Sequence, residues 1–173
     1  MSHFNLIANV EQAIYIRNLF RPWPTSTRPV ERWVGFLPLY HAYGQLFTIL
    51  VACKREVPVY VMKSFVYEQF LRIIQDHKIT ALQVAPPIMV MLDKRPETPK
   101  YDLSSLQNIT SGAAPLSREL QNSVAKKFGV QIAQGWGMTE VTCAATSVPG
   151  GVVDELVQSR RMKIDEFAAD WLA

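Results

Sequence analysis

Along the chain, short apolar runs alternate with stretches in which apolar residues recur every three or four positions. Residues 3–19 place Leu6, Val10, Ala13 and Ile14 on one face, which predicts a helix. Residues 21–30 are Pro-rich and read as an exposed connector. The apolar run from Trp33 to Leu39 predicts a strand, and Gly44 to Cys53 a buried helix carrying Leu46, Phe47, Leu50 and Val51. A second strand is expected over Val57–Met62, followed by an amphipathic helix from Phe65 to His77 through Val66, Phe70, Ile73 and Ile74. Thr80–Val84 reads as a third strand. Ala85-Pro86-Pro87 ends it, and Pro87 suits the first turn of a helix running to Leu92. Residues 93–101 form a polar surface loop, and Asn108–Thr110 a short strand. The last clear helix, Ser117 to Phe128, buries Leu120, Val124 and Phe128. Ser117 caps its start, and Gly129 sits where a left-handed cap belongs. Val130–Ala133 is a short buried strand. The alternation predicts an α/β fold.

Two small-residue turns flank that last helix and its strand. Ser111-Gly112-Ala113-Ala114-Pro115 comes before it and Gln134-Gly135-Trp136-Gly137-Met138-Thr139-Glu140 after. Both lie at carboxyl ends of predicted strands, where open α/β sheets bind ligands. Gly112, Ala113 and Ala114 let backbone approach a flat ring closely. Trp136 can stack on a base, with Gly135 and Gly137 permitting the sharp turn that presents it. Thr139 offers a hydroxyl to a phosphate oxygen. Glu140 offers a hard oxygen to Mg²⁺, which takes one or two carboxylates plus phosphates and water. Each turn alone reads as an ordinary Gly/Ala loop, with Thr139 and Glu140 capping a helix, but the pair points to a nucleotide.

Composition narrows the class. At 173 residues the chain fits one domain or a large piece of one, and 49% hydrophobic against 19% charged residues supplies a core. A net charge of +3 is too balanced to imply nucleic acid, with Lys126-Lys127 and Arg160-Arg161 as isolated solvated pairs. Cys53 and Cys143 have neither metal nor disulfide spacing, and read as reduced core or near-core thiols of an intracellular protein. The most apolar window, Phe36 to Cys53, is broken by Pro38, His41 and Gln45, so no membrane span is expected.

Ser-Gly-Ala-Ala-Pro-Leu (111–116) and Gln-Gly-Trp-Gly-Met-Thr-Glu (134–140) resemble the adenine- and adenylate-binding segments of the AMP-forming acyl-CoA synthetases, including the 4-coumarate–CoA ligase-like enzymes. That family usually has Tyr where Trp136 stands. Residues 2–12 resemble its helix after the phosphate loop, and residues 36–44 its aromatic–His segment. The resemblance implies a partial adenylate-forming N-terminal domain over 1–153, with a mostly parallel sheet flanked by helices. It implies His41, Thr139 and Glu140 as catalytic residues, with Glu140 on the metal. Gly112–Pro115 and Gln134–Thr139 would bind the adenylate. His41, Tyr43 and Phe47 would line the pocket for a small aromatic or fatty carboxylic acid. Lys63, which from sequence alone reads rather as an ordinary surface lysine, would contact CoA phosphates. The implied cofactors are ATP/AMP, Mg²⁺ and CoA.

The same resemblance implies an internal fragment. Residues 1–40 hold no Ser/Thr/Gly-rich phosphate loop, and neither the ribose-binding Asp nor the hinge and lid with its Lys follows Glu140. Weak or no catalysis by these residues alone is expected. A non-catalytic adenylate- or acyl-binding module and a partner-binding α/β fragment are the other readings. Residues 154–173 match nothing in the family. They read as an amphipathic helix through Val157, Ile164, Phe167, Ala168 and Trp171, or as a foreign tail from a misread exon boundary or frameshift, the second being preferred. Exposed edges of an incomplete sheet favour self-association. A cytoplasmic location is expected, since Trp171-Leu172-Ala173 is no peroxisomal address.

Overall fold

The computed structural model describes residues 2–19 and 30–148. The helix expected in 154–173 and most of the 21–30 connector lie outside the described residues.

A six-stranded sheet organises the described chain, in the order β2-β1-β3-β4-β5-β6. The strands are β1 (Trp33–Gly35), β2 (Val59–Val61), β3 (Ala81–Val84), β4 (Asn108–Ser111), β5 (Gln131–Gly137) and β6 (Ala144–Val148). The first five run parallel, and β6 pairs antiparallel with β5. β3 is buried along its whole length, as a strand covered on both faces must be.

Helices α4 (Tyr67–His77), α5 (Pro86–Lys94) and α6 (Arg118–Phe128) cover one face. Phe70, Leu71, Ile74, Met89, Leu92 and Val124 there meet Leu82, Ile109 and Ile132 of the strands. Helix α1 (His3–Leu19) covers the other face, together with one continuous helical segment over 42–54. That segment consists of α2 (Ala42–Gly44), a π-helical stretch (Gln45–Val51) and α3 (Ala52–Lys54). Trp33, Tyr43, Leu46 and Val51 form the core on that side. The 42–54 segment joins β1 to β2 on one side, whereas α4 leads to β3 on the other. The strand order therefore reverses between β1 and β3, and ligands of open α/β sheets bind above such a reversal.

Two buried polar side chains, Glu31 and Asn9, tie this second face together. Glu31 accepts from Arg17 Nη2 at 3.0 Å, Arg55 Nη2 at 2.8 Å and Trp33 Nε1 at 2.9 Å. It thereby links α1, the entry to β1 and the loop after α3. Asn9 clamps α1 to β6, donating to the Ala144 carbonyl at 2.7 Å and accepting from its amide at 3.1 Å.

Several expectations are corrected. The strand expected over Trp33–Leu39 ends at Gly35, although Phe36 still packs on Phe65 and Phe70. The loop is apolar because it is packed, not because it is extended. The strand expected over Val130–Ala133 runs on to Gly137, because β6 pairs with its second half. The polar loop 93–101 contains a 3₁₀ turn (Thr98–Lys100), with Thr98 buried against the Tyr67 hydroxyl at 2.7 Å. Cys53 is exposed rather than a core thiol, while Cys143 is buried. Helix α1 has the expected bounds. At α6, Ser117 Oγ accepts from the Leu120 amide at 3.3 Å, and Gly129 closes the helix at φ 64°.

Candidate functional site

The two motifs meet at the carboxyl edge of the parallel strands. Val84, Ser111 and Gln134 are neighbours in register across β3, β4 and β5, so the segments that follow β4 and end β5 leave the sheet side by side. The Gly112 amide donates to the Val84 carbonyl at 3.0 Å, which carries the pairing one residue past the strand. Ala113, Ala114 and Pro115 are then exposed. Ala113 sits at φ 69°, and Thr142, beyond the second motif, at φ 78°. The two other non-glycine residues at positive φ, Glu56 and Lys78, lie in turns that follow helices, away from this edge.

The second motif differs from expectation. Gly135 and Trp136 do not form a sharp turn: they extend β5, with an irregularity in the ladder between Trp136 and Gly137. Gly137 is required by crowding, since a Cβ there would lie 1.5 Å from the Cys143 carbonyl oxygen. Trp136 is 54% exposed, enough to offer an indole face to a base. Met138, Thr139 and Glu140 are exposed, and Thr139 and Glu140 open a short 3₁₀ turn (Thr139–Val141). The Gln134 side chain donates to Gln121 of α6, whose own amide donates to the Ile132 carbonyl at 3.3 Å. Its side chain thus fastens α6 to β5.

The segment after β1 brings the remaining residues in. His41 caps α2, with Nδ1 accepting from the Tyr43 amide at 3.2 Å. Nε2 is left to meet a ligand, and the residue is exposed. The buried Tyr43 hydroxyl donates to the Thr110 carbonyl at 2.9 Å, and burial pushes its phenol well above the usual range. Phe47 meets the Tyr43 ring edge-on at 5.4 Å. A Cβ at Gly112 would stand 3.4 Å from Tyr43 Cε1 and 3.5 Å from the Gly135 carbonyl oxygen, so the three elements touch. Lys63 does not join them. It follows β2, three strand spacings from β4, or about 14 Å.

Sequence reasoning missed Thr110, which holds Tyr43, and Asn9, whose partner Ala144 is 135 residues away. It also missed two buried polar atoms that meet no partner among the described residues, Gln83 Nε2 and Ser111 Oγ. Glu140 belongs to no ready-made metal cluster: among the described residues no group of three His, Cys, Asp or Glu could hold an ion. A lone exposed carboxylate suits a Mg²⁺ that arrives with a nucleotide and keeps its waters.

The pattern of the AMP-binding enzymes matches residues 1–163. The chain belongs to this family. The probable 4-coumarate–CoA ligase 2 of Dictyostelium discoideum is 34% identical over 155 residues, covering 88% of this chain and 27% of the relative. For 4-coumarate–CoA ligase 1 of Solanum tuberosum the identity is 36% over 139 residues, with 74% of this chain and 26% of the relative covered. The luciferase-like enzyme of the nonluminescent mealworm Zophobas morio superposes with a TM-score of 0.71 at 23% identity, over 86% of this chain and 32% of that one. This last likeness establishes the fold. The chain spans about a quarter of the length of the relatives it matches. Among the described residues no helix is long and apolar enough to cross a membrane.

Proposed function

We propose that the chain supplies the adenylate-binding edge of an acid–CoA ligase that forms an acyl-AMP intermediate from a small carboxylic acid and ATP. The juxtaposition of Gly112 with Gly135 beneath the Tyr43 ring carries this reading. In such a reaction the carboxylate attacks the α-phosphate, pyrophosphate leaves, and the CoA thiol then displaces AMP. Gly112, Ala113, Ala114 and Pro115 flank the adenine, and Trp136 stacks on it. Thr139 donates to an α-phosphate oxygen, and His41 Nε2 orients the carboxylate above Tyr43 and Phe47. Glu140 holds Mg²⁺, which when bound neutralises phosphate charge. Lys63 serves CoA phosphates from its separate place on the same edge.

These residues alone are a weak catalyst or none, since they cover about a quarter of a relative's length. In this reading the partial AMP-binding domain reaches residue 163, ten residues into the tail expected from 154, and only 164–173 stand outside it. Among the described residues β2 and β6 end the sheet, and copies associate through these edges, which a monodisperse monomer in light scattering would contradict. Calorimetric titration with a non-hydrolysable acyl sulfamoyl adenosine tests the site. Trp136→Ala is expected to lose roughly tenfold in affinity, the worth of one stacked base. Unchanged affinity would overturn the assignment of Trp136. A turnover assay with aryl and fatty acids is expected to show no enzyme-like rate.

A further inference from the structure

Strand β5 changes partner at Gln134. That residue is the last paired with β4, opposite Ser111, and the first paired with β6, opposite Val148. Beyond it, Gly135 and Trp136 have a ladder on the β6 side only. Their other side faces the first motif, where a Cβ on Gly112 would stand 3.5 Å from the Gly135 carbonyl oxygen. The ladder with β6 is itself irregular between Trp136 and Gly137. Strand pairing alone therefore leaves the direction of the Trp136 end of β5 loosely fixed.

A side-chain lock from α6 acts at this changeover. Gln134 and Ile132 lie on the same face of β5, the face that α6 covers. Gln121, one turn into α6, reaches both. It accepts from Gln134 Nε2, and its own Nε2 donates to the Ile132 carbonyl at 3.3 Å. The same sheet face carries the buried Ile109 and Ile132 against Val124 of α6. Two apolar side chains of similar shape would hold the helix there about as well as an amide pair. What the amide pair adds is one permitted arrangement, since a shift of the strand breaks it.

We infer that Gln121 is a positioning residue of the adenylate site: through Gln134 it holds the end of β5 so that Trp136 is set for the base before the nucleotide arrives. This rests on the adenylate reading above. Gln121 itself touches no ligand. A site already in its bound shape has less freedom to lose on binding, so removing the lock costs affinity although no ligand contact is removed.

Calorimetric titration of the whole chain with a non-hydrolysable acyl sulfamoyl adenosine, beside urea unfolding of each variant, tests this. Gln121→Met removes both bonds, keeps the side chain's length and remains a good helix former. It is expected to bind roughly fivefold more weakly, the worth of one hydrogen bond. Gln121→Met/Trp136→Ala should lose no more than Trp136→Ala alone, because the lock then has no ring to hold. Gln121→Glu keeps an oxygen for Gln134 while giving up the donation to Ile132, and should bind within about twofold of wild type. A Gln121→Met chain that unfolds earlier in urea yet binds as tightly as wild type would overturn the inference. Additive losses in the double variant would do the same, as would Gln121→Glu binding as weakly as Gln121→Met; each leaves the adenylate reading standing. If the wild-type chain, folded by circular dichroism, does not bind the analogue, the adenylate reading falls and this inference with it.

Discussion

Replacing Glu31 with Ala should be the most damaging single change on the second sheet face. The Glu31 side chain is 5% exposed, and its partners Arg17 and Arg55 are 11% and 9% exposed. Truncation leaves two nearly buried guanidinium groups facing one another and the Trp33 indole N–H without its acceptor. Breaking a buried ion pair from one side costs about 3–5 kcal/mol. An orphaned buried donor costs about 1–3 kcal/mol, though the two overlap because the same carboxylate is lost in both. A loss of about 4 kcal/mol follows, which for a chain of this size is a fall in Tm of about 8–16 °C. Glu31→Gln keeps an acceptor for Trp33 and drops only the charge, so its loss should be smaller. Urea unfolding followed by tryptophan fluorescence, with m held constant, measures both. A Glu31→Ala change of under about 1 kcal/mol would refute the reasoning, because that is the worth of an exposed pair.

Further expectations concern the site and its support. Gly137→Ala must displace the Cys143 carbonyl, so it should cost about 3 kcal/mol in urea unfolding and abolish acyl-adenylate analogue binding. Ala113→Gly relieves a left-handed alanine and should raise the urea midpoint by an equivalent of about 0.5–1 kcal/mol. Asp102 is held below the usual carboxylate range by the Ser104 hydroxyl, then by Lys78 and the Ser104 amide. A depressed folded value makes its contribution present above the ordinary aspartate pKa of about 3.9 and lost as pH falls toward the folded one. The stability difference between wild type and Asp102→Asn should therefore be constant from neutral pH down to about 5 and shrink below about 4. A difference that grows on acidification would contradict this.

The helices were legible in the sequence because an amphipathic stripe records which face is buried. Leu120, Val124 and Phe128 report α6 directly, and its caps follow from Ser117 and Gly129. The motif segments were legible as small residues with a stacking ring and a carboxylate. Strand ends were less so. Apolar character in Phe36 and Leu37 comes from packing of a loop against two cores, which periodicity cannot tell from extension. β6 went unread because Ala144-Ala145-Thr146-Ser147-Val148 has little apolar signal, and it becomes a strand through pairing with β5. Glu31 and Asn9 carry no local signature at all. Their value depends on partners that only the folded chain brings near, Arg55 in one case and Ala144 in the other.

The central claim is that one adenylate lies between residues 111–116 and 134–140. Photo-crosslinking with an azidoadenosine acyl sulfamate, followed by peptide mapping, tests it most directly. Label in both segments, displaced by excess unmodified analogue and lost in Thr139→Val, is the predicted result. Label confined to other peptides, or insensitive to competitor, would contradict the account.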